Sequence, residues 1–329
     1  EQDGVSHDAL LIAVPILAWT RFAIASGPIA PDMIATLAAH LYAHVLADGT
    51  RLAVAPTLFS IDQLPRTHAD TLAMTQRMAA AALTGRALPP LSQPPETAPF
   101  LADTRFLLAV VTAPAGQSLF RWQMTEGRGD IAATRVDAAK HWKAQAMPNV
   151  ERLLPGCGIE LLLPDAYYAA CREADMKIRA VSIRAAVHFL THALAVEPNG
   201  LAAIIGGFGA DSVDARIDEY RVSFTLRQQQ DVVYGVVWPL YGQEDAGDGL
   251  PSAVPERPYT GLLPQRLAPI DEILALLKEC GVVDVQCHEE QFPMDFCDDC
   301  GAPLYCDMQE ELVHAQMPED APHTQGHLH

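Results

Sequence analysis

The chain has 329 residues, half of them hydrophobic and 19% charged, with a formal net charge of −19. That length holds two compact domains or one large one, and the composition belongs to packed globular proteins rather than disordered ones. The acidic balance speaks against sequence-independent binding to nucleic acid and against docking on an anionic membrane, since both need clustered Lys and Arg.

Residues 8–18 are almost continuously apolar and read as a buried strand, with Pro15 late in it. The longest apolar runs, such as Ala9 to Ala18, cover about ten residues, where a membrane span needs roughly 20. No basic segment precedes the run, so the layout of a secretory signal is lacking. The chain opens on Glu1 rather than Met, and a natural N-terminal segment is expected before it.

Pro31-Asp32 starts a helix running to about Ala47, with Ile34, Leu37, Leu41 and Val45 on one face and Asp48-Gly49 as its stop. Arg51 to Pro56 reads as a second strand and Thr67 to Leu83 as a second helix. This β-α-β-α order predicts a parallel sheet with crossover helices. A proline-rich stretch at 89–100 reads as a linker. Phe106 to Val111 and Ser118 to Met124 follow as a hairpin around Pro114-Ala115-Gly116-Gln117. Ala132 to Leu153 is helical, bent or split at Pro148.

Ile159 to Leu163 is a strand, Pro164-Asp165 opens another helix, and Ile178 to Ala195 is a long one. Leu201 to Ile205 is a buried strand running into Gly206-Gly207-Phe208-Gly209. Two alternating strands follow, Glu219 to Leu226 and Val232 to Trp238. Residues 242–268 read as a long surface loop or lid. Ile270 to Cys280 is a helix stopped at Gly281, and Val282 to Glu290 is a strand into a cysteine-rich end. The domain organisation expected is a first α/β module at 1–88, the linker, a second α/β module at 101–241, the loop, and a C-terminal piece at 269–329.

A helix with His-x-x-x-His, a glycine stop and an apolar strand occurs twice in order. His40 and His44 lead through Gly49 to Leu52-Ala53-Val54, and His188 and His192 lead through Gly200 to Leu201–Ile205. Two explanations stand: an internal duplication of sheet-and-helix modules, or chance similarity between helix–strand units.

Of seven cysteines, five (Cys280, Cys287, Cys297, Cys300, Cys306) fall in the last fifty residues. A local cluster with one C-x-x-C points to metal in a reducing compartment rather than to secreted disulfides, and so to the cytoplasm. Cys297-Asp298-Asp299-Cys300-Gly301, followed by a short hairpin, is how a chain makes half of a zinc ribbon. The turn points two thiolates at one place, and its amide N–H groups stabilise their charge.

If Leu304-Tyr305 pairs with Leu312-Val313 around Asp307 to Gln309, His314 returns beside the cysteine turn. Cys306 would lie near the hairpin tip, about fifteen Å away at roughly 3.3 Å per residue. His314 is therefore the expected third zinc ligand and His288 the fourth. Cys287 and Cys306 are its rivals, and strand alternation lets only one of Cys287 and His288 face the metal. Reduced cysteines in a plain turn, or a redox C-x-x-C, are the other readings.

The weaker signals are the two histidine pairs, each on one helical face. Leu41 and Phe189 stand where a zincin motif needs Glu, so partly buried histidines are the plainer reading. Gly206–Gly209 could admit a phosphate, but G-x-G-x-x-G and the P-loop Lys-Ser/Thr are lacking. Cys157 between two glycines has no nearby His, and no G-x-S-x-G is present. His323, His327 and His329 read as a tail.

Phe296 to Leu304 with Val313-His314-Ala315, together with His40 to Ala47 and Ser60-Ile61-Asp62-Gln63, resembles a bacterial family of unknown function, domain of unknown function 2863. The resemblance runs across the whole chain. It implies cytoplasmic proteins with an extra, mostly helical N-terminal segment, and it implies no reaction. Cys306 lies outside the pattern, which favours His314 as ligand.

The expected protein is thus soluble, cytoplasmic and α/β. Its two similar modules end in a zinc-ribbon-like hairpin, and it acts as a non-catalytic binding or regulatory protein, possible homo-oligomers included. The competing expectation is an enzyme, metal-dependent or not, with a pocket at the strand carboxyl ends near Gly206–Gly209 and the histidine pairs.

Overall fold

The computed structural model describes residues 4–89, 100–125, 131–210, 216–241 and 268–318. Nearly all of the proline-rich stretch and of the 242–268 loop, and the terminal histidines, lie outside the described residues. The chain divides into two units, Glu1–Ile178 and Arg179–His329.

The first unit runs β1 (His7–Trp19), β2 (Gly27–Pro28), α1 (Pro31–His44), β3 (Arg51–Ser60), α2 (His68–Thr84) and β4 (Ala102–Pro114). It continues with α3 (Ile131–Leu153), β5 (Gly158–Leu161), β6 (Asp165–Ala166) and the start of α4 (Tyr167–Ala193). The sheet order is β2-β3-β4-β1-β5, with β6 also on β1, and every pairing is antiparallel.

The expected parallel sheet is therefore corrected. β1 and β3 both run against β4, so they share a direction, but β4 lies between them. The α1 crossover is as expected; the strand that splits it comes from beyond the proline-rich stretch. The reason lies in β4 itself. Phe106 to Ala113 are all buried, and a strand apolar on both faces belongs in the middle of a covered sheet. The division at Ile178/Arg179 consequently falls within α4, and residues on both sides of the 89–100 stretch build one sheet.

Pro15 is tolerated deep in β1 because the neighbouring edge has a gap there. β5 pairs Ile16–Trp19 and β6 pairs Ile12 and Ala13, so no ladder needs the N–H that proline lacks. The Pro15 carbonyl is met by the Leu162 N–H at 3.0 Å. One face of the sheet packs Ile12, Val14, Ile16, Leu107 and Ala109 against α1 and α3. The other meets α2 through Ala53, Ala81 and Ala82.

The expected hairpin after β4 does not form, since both edges of β4 are taken by β1 and β3. Instead Phe120 and Trp122 stack at 4.5 Å in the core beside α1, and Arg121 N–H donates to Val45 O. Helix α3 runs on through Pro148. The two helices expected from 164 to 195 are one, because no Gly or Pro stands between Pro164 and Pro198.

The second unit comprises the rest of α4, β7 (Leu201–Gly209), β8 (Glu219–Leu226), β9 (Val232–Pro239), α5 (Pro269–Glu279) and β10 (Asp284–Pro293), then β11 (Tyr305–Cys306) and β12 (Leu312–Val313). Its sheet order is β10-β7-β8-β9; β10 and β7 are parallel and the rest antiparallel. Helices α4 and α5 are tied by Arg184 and Glu279, and Phe189 of α4 meets Tyr234 of β9 at 6.0 Å. On the opposite face Ile204, Phe208, Phe292 and Cys306 form a small core.

The helix, glycine and strand recurrence is present locally, as α1 to β3 and α4 to β7. The sheets around the two strands differ, since β3 lies among antiparallel partners only and β7 pairs in parallel with β10. The mixed α/β class stands.

Candidate metal centre

The polar face of β8 explains where the C-terminal segment sits. Tyr220, Val222 and Phe224 alternate with Arg221, Ser223 and Thr225, and all six are buried. Arg221 is 0% exposed. Its Nε donates to Glu219 Oε1 at 2.7 Å, and its Nη1 donates to Asp295 O at 2.8 Å and to Leu304 O. Those two carbonyls stand just before and just after the cysteine turn. The guanidinium also lies 4.2 Å over the Phe208 ring and 5.3 Å over Phe296. Ser223 Oγ donates to Cys306 O at 2.6 Å.

Two glycines on this face make room for the hairpin. A Cβ on Gly206 would stand 2.7 Å from Cys306 Sγ, and one on Gly235 would overlap the Tyr305 ring. The phosphate loop that Gly206–Gly209 only weakly suggested gains nothing here. The run lies inside β7, and its glycines are filled by Cys306, Ile217 and Gln291 from neighbouring segments.

Above this platform the turn closes on itself. Cys297 N–H donates to Ala302 O at 2.8 Å, and Gly301 N–H to Cys297 O at 2.8 Å. Gly301 sits at φ 72, in the left-handed region that glycine enters freely. Leu304 N–H donates to Asp295 O at 3.1 Å. The hairpin pairs Tyr305 with Val313 and Cys306 with Leu312, which brings His314 back to the turn. Beyond it, Gln316 N–H donates to Val232 O of β9 at 2.9 Å.

Cys297, Cys300 and His314 thus converge, their donor atoms all within 4.8 Å of one another. Cys300 Sγ lies 3.2 Å from His314 Nε2. Two zinc ligands at tetrahedral angles stand about 3.5–3.8 Å apart, so a small adjustment seats an ion between them. The backbone N–H groups of Cys300 and Asp299 hold the Cys297 thiol below its ordinary range, as thiolate ligation requires.

His288 does not join this group. Its side chain is 2% exposed, Nε2 donates to Asp307 O at 2.7 Å, and Nδ1 faces Glu310 at 3.3 Å. It lies on the expected face of β10 but pins the hairpin tip, where Asp307 Oδ1 accepts from Gln309 and Glu311 N–H. Cys287 is exposed. Cys306 is buried over Gly206, and burial pushes its thiol up to about 11.

The histidine pairs are engaged within their own units. His40 Nε2 accepts from Asn149 at 3.2 Å, and His44 stacks on His141 at 6.0 Å. His188 and His192 lie 4.2 Å apart, and His192 Nδ1 donates to His188 O. The Cys157 thiol is pushed up by burial, against the reading of an activated nucleophile.

Sequence reasoning did not find Arg221, Ser223 and Gly235. The signal was present in β8, where an arginine stands in a strand whose partners on both sides are apolar.

Fold and site together define a mixed α/β protein whose C-terminal segment carries a two-cysteine, one-histidine cluster. The family model described as protein of unknown function (DUF2863) matches residues 1–328, and the chain belongs to that family. No curated protein matches the chain, and no solved structure does. Among the described residues no helix is long and apolar enough to cross a membrane.

Proposed function

We propose that Cys297, Cys300 and His314 hold one zinc ion, and that its role is to fix the C-terminal segment on the second sheet. The convergence of those three donors on one point carries this reading. Two thiolates and an imidazole are the donors zinc takes from proteins. The hairpin has two paired residues in each strand, too few to hold a β-structure by itself. A metal supplies the stability that so small an element lacks, in the manner of half a zinc ribbon.

On this reading the protein is a soluble, cytoplasmic, non-catalytic binding or regulatory module, with no nucleic acid or membrane as partner. The enzyme reading keeps less support. Its glycine run is interior to β7 and packed by neighbouring segments, and among the described residues the first sheet pairs only antiparallel strands.

Elemental analysis of chelator-dialysed protein tests the proposal. The natural chain is expected to retain about one zinc per molecule, and Cys297→Ser and His314→Ala to lose most of it and melt at lower temperature. A natural chain without zinc, or variants that keep it, would contradict the reading.

A further inference from the structure

We propose that the metal keeps one coordination position open to solvent, and that this position takes a neutral nitrogen donor, an imidazole being the simplest. The inference rests on the zinc reading above and extends it. A tetrahedral ion needs four ligands, and three donors converge among the described residues. Among the described residues, the nearby Cys and His side chains outside the cluster are committed elsewhere. His288 is held by Asp307 and Glu310 at the hairpin tip, and Cys306 is sealed beneath the hairpin against Gly206. Cys287 neighbours His288 on β10 and so points to the other face. The cluster lies at the surface, with Cys300 and His314 exposed.

Charge decides which donor suits it. Two thiolates cancel the charge of a divalent ion, and a neutral ligand leaves the centre at zero. An anionic ligand would make it negative beside Asp298 and Asp299, in a chain of net charge −19. Imidazole is also of the borderline softness that zinc accepts. A site so completed joins the C-terminal segment to a histidine supplied from outside it, whereas a closed structural site binds nothing further.

Cobalt(II) reports the coordination directly. The full chain is loaded with one equivalent, and its visible absorption is followed as imidazole is added, with thiocyanate as the anionic comparison. A saturable shift of the ligand-field bands, with the thiolate-to-cobalt charge-transfer band retained, is expected. Thiocyanate should bind at least about tenfold more weakly, because it adds negative charge. An unmoved spectrum would mean that the chain closes the site itself, and would overturn the inference. Loss of the charge-transfer band would show imidazole stripping the metal, and would overturn it equally. Thiocyanate binding as tightly as imidazole would overturn the choice of a neutral donor. Failure of the zinc reading looks different, since no one-to-one cobalt spectrum would then appear before any imidazole is added.

Discussion

Arg221 is the residue on which the C-terminal segment depends most. It is fully buried, pairs with Glu219, and donates to the carbonyls that flank the cysteine turn. Removing one partner of such a buried pair leaves charge and carbonyls uncompensated. Arg221→Met is expected to destabilise the protein by about 3–5 kcal/mol in denaturant unfolding, against about 1 kcal/mol for Ser223→Ala. Gly235→Ala drives a methyl into the Tyr305 ring and should cost about 1–3 kcal/mol. His288→Ala separates two roles. Zinc content is expected to stay while the melting temperature falls; loss of zinc would restore His288 as a ligand. The grouping of Cys297, Cys300 and His314 was legible in the sequence because a C-x-x-C-G turn and a short hairpin fix their geometry locally. His288 stands at the hairpin tip rather than with that group, because strand alternation gives the face of a side chain and not how far along the hairpin it lies.

At the scale of elements, local patterns found strands and helices well and their partners poorly. Apolar runs marked β1, β4 and β7, and Gly85 and Gly281 sit at helix ends with φ above 60, whereas α1 already ends at His44, before the expected stop at Gly49. Strand order depends on contacts between distant segments, and nothing near 102–114 announces that it belongs between β1 and β3. The alternation in β8 was visible, but a polar face next to glycines reads as solvent-facing until the covering segment is known. Helix α3 offers a direct test. Pro148 is exposed in an uninterrupted helix, where it removes a hydrogen bond. Pro148→Ala is therefore expected to stabilise by about 1–3 kcal/mol. A destabilised variant would show that Pro148 serves the structure in another way.

For the whole molecule, the zinc reading makes the C-terminal segment a metal-dependent addition to the second sheet, while the first unit stands on its own apolar core. Chelation should accordingly speed amide exchange in residues 295–314 and leave β1 and β4 protected. Uniform loss of protection would contradict that division of labour. The net charge of −19 was legible from composition. Family membership brings no reaction with it, so chemistry must be read at the site. Zinc-edge X-ray absorption on the natural chain bears on the proposed centre without any variant. Two sulfur ligands at about 2.3 Å, with nitrogen or oxygen at about 2.0–2.1 Å, are expected. A shell without sulfur, or one of four sulfurs, would contradict a centre built from Cys297, Cys300 and His314.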